Sequence, residues 1–215
     1  EDHHIGALLV IGGYSAYEGI YTMMTERDRY PAFRIPTVCI PASIDNNLPG
    51  SELSIGTDTA LNVIVEAMDK IKESGIASRR CFVVETMGRD CGYLALMSGI
   101  AAGAERIYTN EDGISLDDLA NDVHWLRESF AHGRRLFLAV RNENASHNYT
   151  TDFIARLLEE ESHGMYDVRQ VVLGHMQQGG SPSPFDRLLA NRLGYRALNL
   201  IDDELAAHQD GSWFI

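Results

Sequence analysis

Positive charge is what this sequence has least of. Across 215 residues, 18 Lys and Arg stand against 31 Asp and Glu, a formal net charge of −13. Binders of nucleic acid or of anionic membranes neutralise phosphates with dense Lys and Arg, so this balance argues against both partners. Long apolar runs are missing too: none reaches the roughly 18 residues of a spanning helix, and no basic-then-apolar leader opens the chain. Only three cysteines occur, Cys39, Cys81 and Cys91, with no C-x-x-C spacing. That pattern is more often one of core thiols in a reducing compartment than of a disulfide framework or a zinc site. His3-His4 reads as solvated terminal sequence, and no metal-ligand spacing is read from the sequence. The triplets Asn144-Ala145-Ser146 and Asn148-Tyr149-Thr150 carry little weight as glycosylation acceptors without a secretory leader. Rossmann, P-loop, nucleophile-elbow and catalytic-cysteine signatures are absent. The expectation is a soluble cytoplasmic protein, and the lack of an initiator Met before an early apolar run is expected to mark a fragment.

What is present is an alternation of short apolar runs with longer helical patterns, the signature of βαβ units around mostly parallel sheets. Candidate strands are Ala7–Ile11, Pro36–Ile40, Cys81–Glu85, Arg106–Thr109, Leu136–Val140 and Val168–Leu173. Several are continuous apolar runs, as strands covered on both faces should be. Leu116, Leu119, Val123, Leu126 and Phe130 step by 3, 4, 3, 4 and line one face of a helix. Ser115 with Asp118 forms a capping-box pattern before it, and Gly133 marks its stop. Leu61, Ile64, Val65, Met68 and Ile71 form a second stripe capped by Thr57; Thr150 or Thr151 caps a third with Phe153, Ile154, Leu157 and Leu158. Met23, Met24, Met68 and Met97 read as core filler. A last helix runs from Phe185 to about Ala207, and Trp213-Phe214-Ile215 reads as the start of a further element.

Ligands of open α/β sheets bind beyond the carboxyl ends of the strands. Gly12-Gly13-Tyr14-Ser15-Ala16 follows the first strand, either as a tight connection or as an anion-binding turn at a helix N-terminus. Pro41 to Gly50 follows the second, where Asp45 is a candidate general base and, with Asn46, an equally good Asx-turn. Glu85-Thr86-Met87-Gly88-Arg89-Asp90-Cys91-Gly92 follows the third and surrounds one Arg with glycines, which suits a bound anion. Arg79-Arg80 precedes that strand, at the opposite sheet edge, and is either a surface pair or serves a neighbouring subunit. Arg141, Asn142 and Glu143 follow the fifth strand. Arg169 opens the sixth, and Gly174-His175-Met176-Gln177-Gln178-Gly179-Gly180 closes it. His175 is either a hydrogen-bonded structural residue or part of a polar recognition loop. Together these amides, hydroxyls, Arg residues and one His suit a phosphorylated polyol.

Three of these blocks, Ile40 to Asn47, Glu85 to Arg89 and Leu173 to Pro182, occur in the order and spacing of the phosphofructokinases, which the chain resembles over nearly its whole length. The resemblance implies a phosphofructokinase-like α/β fold: Rossmann-like, mostly parallel sheets flanked by helices, in two lobes with the chain crossing between them. Residues of approximately 1–50 are expected in the nucleotide-side lobe and approximately 51–205 mainly in the sugar-phosphate-side lobe. Departures from the family pattern carry the functional reading. Catalytic members have Gly-Gly-Asp-Gly-Ser where this chain has Gly12-Gly13-Tyr14-Ser15-Ala16, so Tyr14 replaces the Asp that serves the magnesium–nucleotide complex. They have Thr-Ile-Asp-Asn-Asp where this chain has Ser43-Ile44-Asp45-Asn46-Asn47, which keeps the base position and neutralises the second Asp. Gln178 stands at a family Arg.

This combination resembles the C-terminal half of eukaryotic ATP-dependent phosphofructokinases, where the old sugar-phosphate site is reused for the activator fructose 2,6-bisphosphate. The resemblance assigns to that ligand, or a related sugar phosphate, the residues Ser43, Ile44, Asp45, Asn46, Asn47, Arg80, Met87, Gly88, Arg89, Glu143, Arg169, His175, Met176, Gln177 and Gln178. Arg80 and Arg169 would reach a pocket across a subunit boundary. No cofactor or metal is expected in this segment; ATP and Mg2+ belong to the homologous N-terminal half, which with neighbouring subunits is the expected partner in a glycolytic kinase. Two other readings remain open: a catalytic half using Asp45 as base, and a non-enzymatic oligomerisation module with a vestigial pocket.

Overall fold

The computed structural model describes residues 4–75 and 77–215; the expectation for His3 lies outside them. In chain order the elements are β1 (Leu8–Gly12), α1 (Tyr14–Thr25), a 3-10 turn (Pro31–Phe33), β2 (Thr37–Pro41), α2 (Thr57–Gly75), β3 (Arg80–Thr86), α3 (Tyr93–Ala102), β4 (Arg106–Tyr108), α4 (Leu116–Ala131), β5 (Leu136–Asn142), α5 (Thr151–Glu161), β6 (Asp167–Val172), a 3-10 turn (Gly174–Gln178), α6 (Pro184–Ala207) and β7 (Ser212–Phe214). They form two compact units, one of residues 1–58 with 182–215 and the other of 59–181. Every strand pairing is parallel. Among the described residues, no helix is long and apolar enough to cross a membrane.

The first unit is built on a sheet of order β1-β2-β7. Central β2 is buried throughout because helices cover both faces. On one side Tyr17 and Ile20 of α1 pack with Cys39 and Leu48; on the other Ala197, Leu193 and Ile201 of α6 pack with Val38 and Ile40. The apolar stripe of α6 has its complement in β2, so the helix belongs to this unit. Trp213 and its neighbours form β7, paired with β2. Leu9 and Ile11 of β1 are exposed, because β1 is an edge strand and α6 lies over β2.

The second unit has the order β4-β5-β3-β6. Cys81, Val83, Phe137 and Ala139 face Leu119, Leu126 and Phe130 of α4 and Ile154 and Leu158 of α5. On the opposite face Gly75 of α2 abuts Phe82, and Gly99 of α3 abuts Ile107, where any β-carbon would collide. The expected helix stripes and cores hold with four corrections, one being Phe153, which is 41% exposed in the first turn of α5. Leu116 is 61% exposed, since it lies in the first turn outside the packed stretch of α4. Met97 is exposed as well, on the side of α3 turned away from its sheet, whereas Met68 is fully buried. Thr57, read as a cap, is instead the first residue of α2 and donates its hydroxyl to the Ser43 carbonyl. Of the two candidate caps for α5, Thr150 is the one that accepts the N–H of Phe153. Cys39 and Cys81 are free and buried, and burial raises both thiol pKa values, that of Cys39 to about 11.

Ser115 and Asp118 complete the capping box, each side chain accepting the other's backbone N–H. Ser115→Ala removes the acceptor, and the expected cost is about 1 kcal/mol, read as a lower urea midpoint. Hydrogen bonds from the Ser115 side chain and backbone hold the Asp118 carboxyl below its ordinary pKa. A group so depressed stabilises the fold above its unfolded pKa and loses that contribution as pH falls through the folded value. The gap between wild type and variant should therefore shrink on acidification below the ordinary carboxylate range.

Candidate functional site

In the first unit, β1 and β2 end side by side, Gly12 opposite Pro41, and their loops leave the same sheet edge. The Gly-Gly pair is needed for packing: a β-carbon on Gly12 would lie 2.6 Å from that of Ala16, and one on Gly13 would lie 3.3 Å from that of Ser43. Tyr14, the first residue of α1, is exposed. The loop after β2 is held by its own polar groups. Asp45 donates its backbone N–H to the Ser43 hydroxyl at 3.3 Å. Asn46, at φ +54°, donates to the Glu52 carbonyl and accepts the N–H of Ser54 at 2.9 Å. That amide is a loop brace, which answers the Asx-turn alternative with a longer-range version of it. Asn47 differs: its side-chain oxygen is buried without a partner among the described residues, and such an atom costs free energy unless a further group bonds it.

In the second unit, β5, β3 and β6 are neighbours, with Thr86 opposite Asn142 and Glu85 opposite Val172. The loops carrying Met87–Arg89, Glu143 and His175–Gln178 thus emerge together. Gly88 sits at φ +140°, and a β-carbon there would come within 2.4 Å of the Cys91 carbonyl oxygen and 2.6 Å of Asn142 Nδ2. Arg89 follows at φ +46°. Glu143 Oε1 accepts the N–H of Gly88 at 3.1 Å and of Arg89 at 2.8 Å, so the carboxylate sits on paired amides that would otherwise suit an external anion. Asn142, fully buried, donates to the Cys91 carbonyl at 3.1 Å and accepts from Asn144 N–H. Gln177 accepts the Met87 N–H at 3.1 Å and donates to the Gly174 carbonyl at 2.9 Å. Of the residues assigned to the ligand, Gln177 is therefore a buried brace. Arg89, His175, Met176 and Gln178 are exposed, and the Arg89 guanidinium has no polar partner among the described residues.

Arg80 and Arg169 lie elsewhere. Arg80 opens β3 and donates to the Ser74 carbonyl; Arg169, third in β6, donates to the Val168 carbonyl and lies 3.7 Å from Asp167. From Arg80 to the loop after Thr86 the strand runs roughly 20 Å, so Arg80 cannot meet the ligand-loop residues of its own sheet. The sequence reading placed Arg80 at this opposite edge, and the fold agrees.

Arg141 is a functional-looking residue with a structural role. It is 2% exposed, pairs with Glu85 at 2.9 Å, and donates to the carbonyls of Glu143, Ser146 and Tyr149. Burial lowers its pKa, with Glu85 opposing the shift. Its place at the end of an otherwise apolar strand was the available signal: a charge there needs several partners. Arg141→Ala strands Glu85 and unties the 143–149 loop, so the expected loss is about 3 kcal/mol or more in guanidinium denaturation.

A family model described as Phosphofructokinase matches residues 1–201. The platelet-type ATP-dependent 6-phosphofructokinase of Rattus norvegicus is 47% identical over 214 residues, 99% of this chain and 27% of that protein. The phosphofructokinase structure of Saccharomyces cerevisiae superposes with a TM-score of 0.92 at 40% identity, covering 96% of this chain and 28% of the other. That of Pichia pastoris in the T-state gives 0.91 at 40%, covering 96% and 24%. The chain thus spans about a quarter of the length of the relatives it matches.

Proposed function

The chain belongs to the phosphofructokinase family, and we propose that it is the effector-binding, regulatory part of an ATP-dependent 6-phosphofructokinase. Its ligand in this reading is fructose 2,6-bisphosphate or a related sugar bisphosphate. The observation that carries the reading is Tyr14, exposed at the end of β1 where catalytic members of the family hold a carboxylate. Phosphoryl transfer depends on positioning and on a metal that neutralises the transferring oxygens. A phenol cannot replace the carboxylate in that task, and Asn47 is neutral. In this reading the residues here do not fit a magnesium–nucleotide complex.

Recognition needs less, and its parts remain. Arg89 offers an unpaired guanidinium on a backbone fixed by Glu143. His175 and Gln178 are exposed in the loop that follows the neighbouring strand β6. Residues 1–58 with 182–215 are assigned to the nucleotide side of the ancestral enzyme and 59–181 to the sugar-phosphate side. Arg80 and Arg169, at the far edge of their sheet, are assigned to the pocket of an adjoining subunit.

Calorimetric titration of the full-length protein with fructose 2,6-bisphosphate should give saturable binding, weakened at least about tenfold by Arg89→Ala through loss of a charge-assisted contact. Arg169→Ala should reduce activation. Absence of binding by the assembled protein overturns the proposal. Asp45 favours one rival reading, a catalytic role as general base. If Asp45→Ala abolishes turnover while the companion half is intact, that reading replaces this one.

A further inference from the structure

Outside these loops, the first unit contains a cavity of about 450 Å³ between α6 and the segment 50–53 that follows β2. Its walls combine two kinds of side chain. Leu53, Phe185, Leu189 and Leu193 supply an apolar surface, and Arg192 and Arg196 line the same space from successive turns of α6. Among the described residues neither guanidinium has a hydrogen-bond or ion-pair partner, in a chain where acids outnumber bases by 31 to 18. Like charges one turn apart disfavour a helix, and a bridging anion reverses that cost. Glu52 also lines the cavity, so the charged groups there sum to +1: two guanidiniums less one carboxylate.

We propose that this cavity binds an amphiphilic monoanion: a carboxylate held by Arg192 and Arg196, with an aliphatic or aromatic body against Leu53, Phe185, Leu189 and Leu193. The volume lies within the ordinary range of small-molecule sites. The single surplus positive charge matches one carboxylate, and Glu52 opposes a compact dianion such as inorganic phosphate. The apolar wall has no complement in a fully polar ligand. This site uses no residue assigned to the sugar bisphosphate and stands independently of that reading.

Octanoate, octan-1-ol and inorganic phosphate, titrated calorimetrically into the full-length protein, test both halves of the proposal. Octanoate should bind saturably, with the alcohol and phosphate each at least about tenfold weaker. Substituting Arg192→Gln and Arg196→Gln together should weaken octanoate at least about tenfold, and Arg196→Gln alone, at an exposed helix position, should give part of that loss. Thermal melting of each variant verifies its fold. No saturable octanoate binding, equal binding of octanol or of phosphate, or wild-type octanoate affinity in the double variant would each overturn the assignment.

Discussion

Parallel register is the constraint on which the rest of the second unit depends. With β5, β3 and β6 adjacent and all running the same way, three loops distant in sequence leave one sheet edge together. Proximity alone would leave three mobile loops. What fixes them is an exchange of polar groups: Glu143 takes the amides of Gly88 and Arg89, Gln177 takes that of Met87, and Asn142 takes the Cys91 carbonyl. Beneath them, Arg141 ties the next loop through carbonyls of Glu143, Ser146 and Tyr149. Each brace works because its strand ends where the neighbouring strand ends.

Such bracing separates residues that hold the loops from residues that face outward. Gln177 and Asn142 spend their hydrogen bonds internally, whereas Arg89, His175 and Gln178 are exposed on the scaffold so made. Gly88 makes the separation possible, since at φ +140° only glycine avoids collision with the Cys91 carbonyl. A rigid frame carrying an unpaired guanidinium suits recognition of a phosphate, where preorganisation lowers the ordering cost of binding. In the other unit Tyr14 is exposed and carries no carboxylate, the observation on which the proposed regulatory role rests.

The fold was legible in the sequence to the extent that local pattern matched burial. Six strands lie within one or two residues of their apolar runs, and β2, β3 and β5 are buried nearly throughout, as strands covered on both faces must be apolar throughout. The Ser115 cap was legible for a similar reason, being made entirely within its own turn. Failures came where the partner was distant. Leu116 continues a helical stripe yet lies beyond the core that the stripe faces, and Ile11 lies in an apolar run whose Val10 packs toward α1 while Ile11 itself is exposed. The side to which α6 belongs depended on its fit to β2, which helical periodicity cannot express.

For the candidate site, sequence by itself determined which residue types stand after which strands, including Tyr14 and Asn47, on which the proposed regulatory role rests. It also placed Arg80 at the edge opposite the ligand loops, since a residue preceding a strand must lie a strand's length from those that follow it. Only the tertiary structure decided how the polar residues divide their labour. Glu143, Gln177 and Arg89 are equally polar on paper, but hydrogen bonds formed across strands that the chain separates by dozens of residues bury one, anchor another and leave the third free.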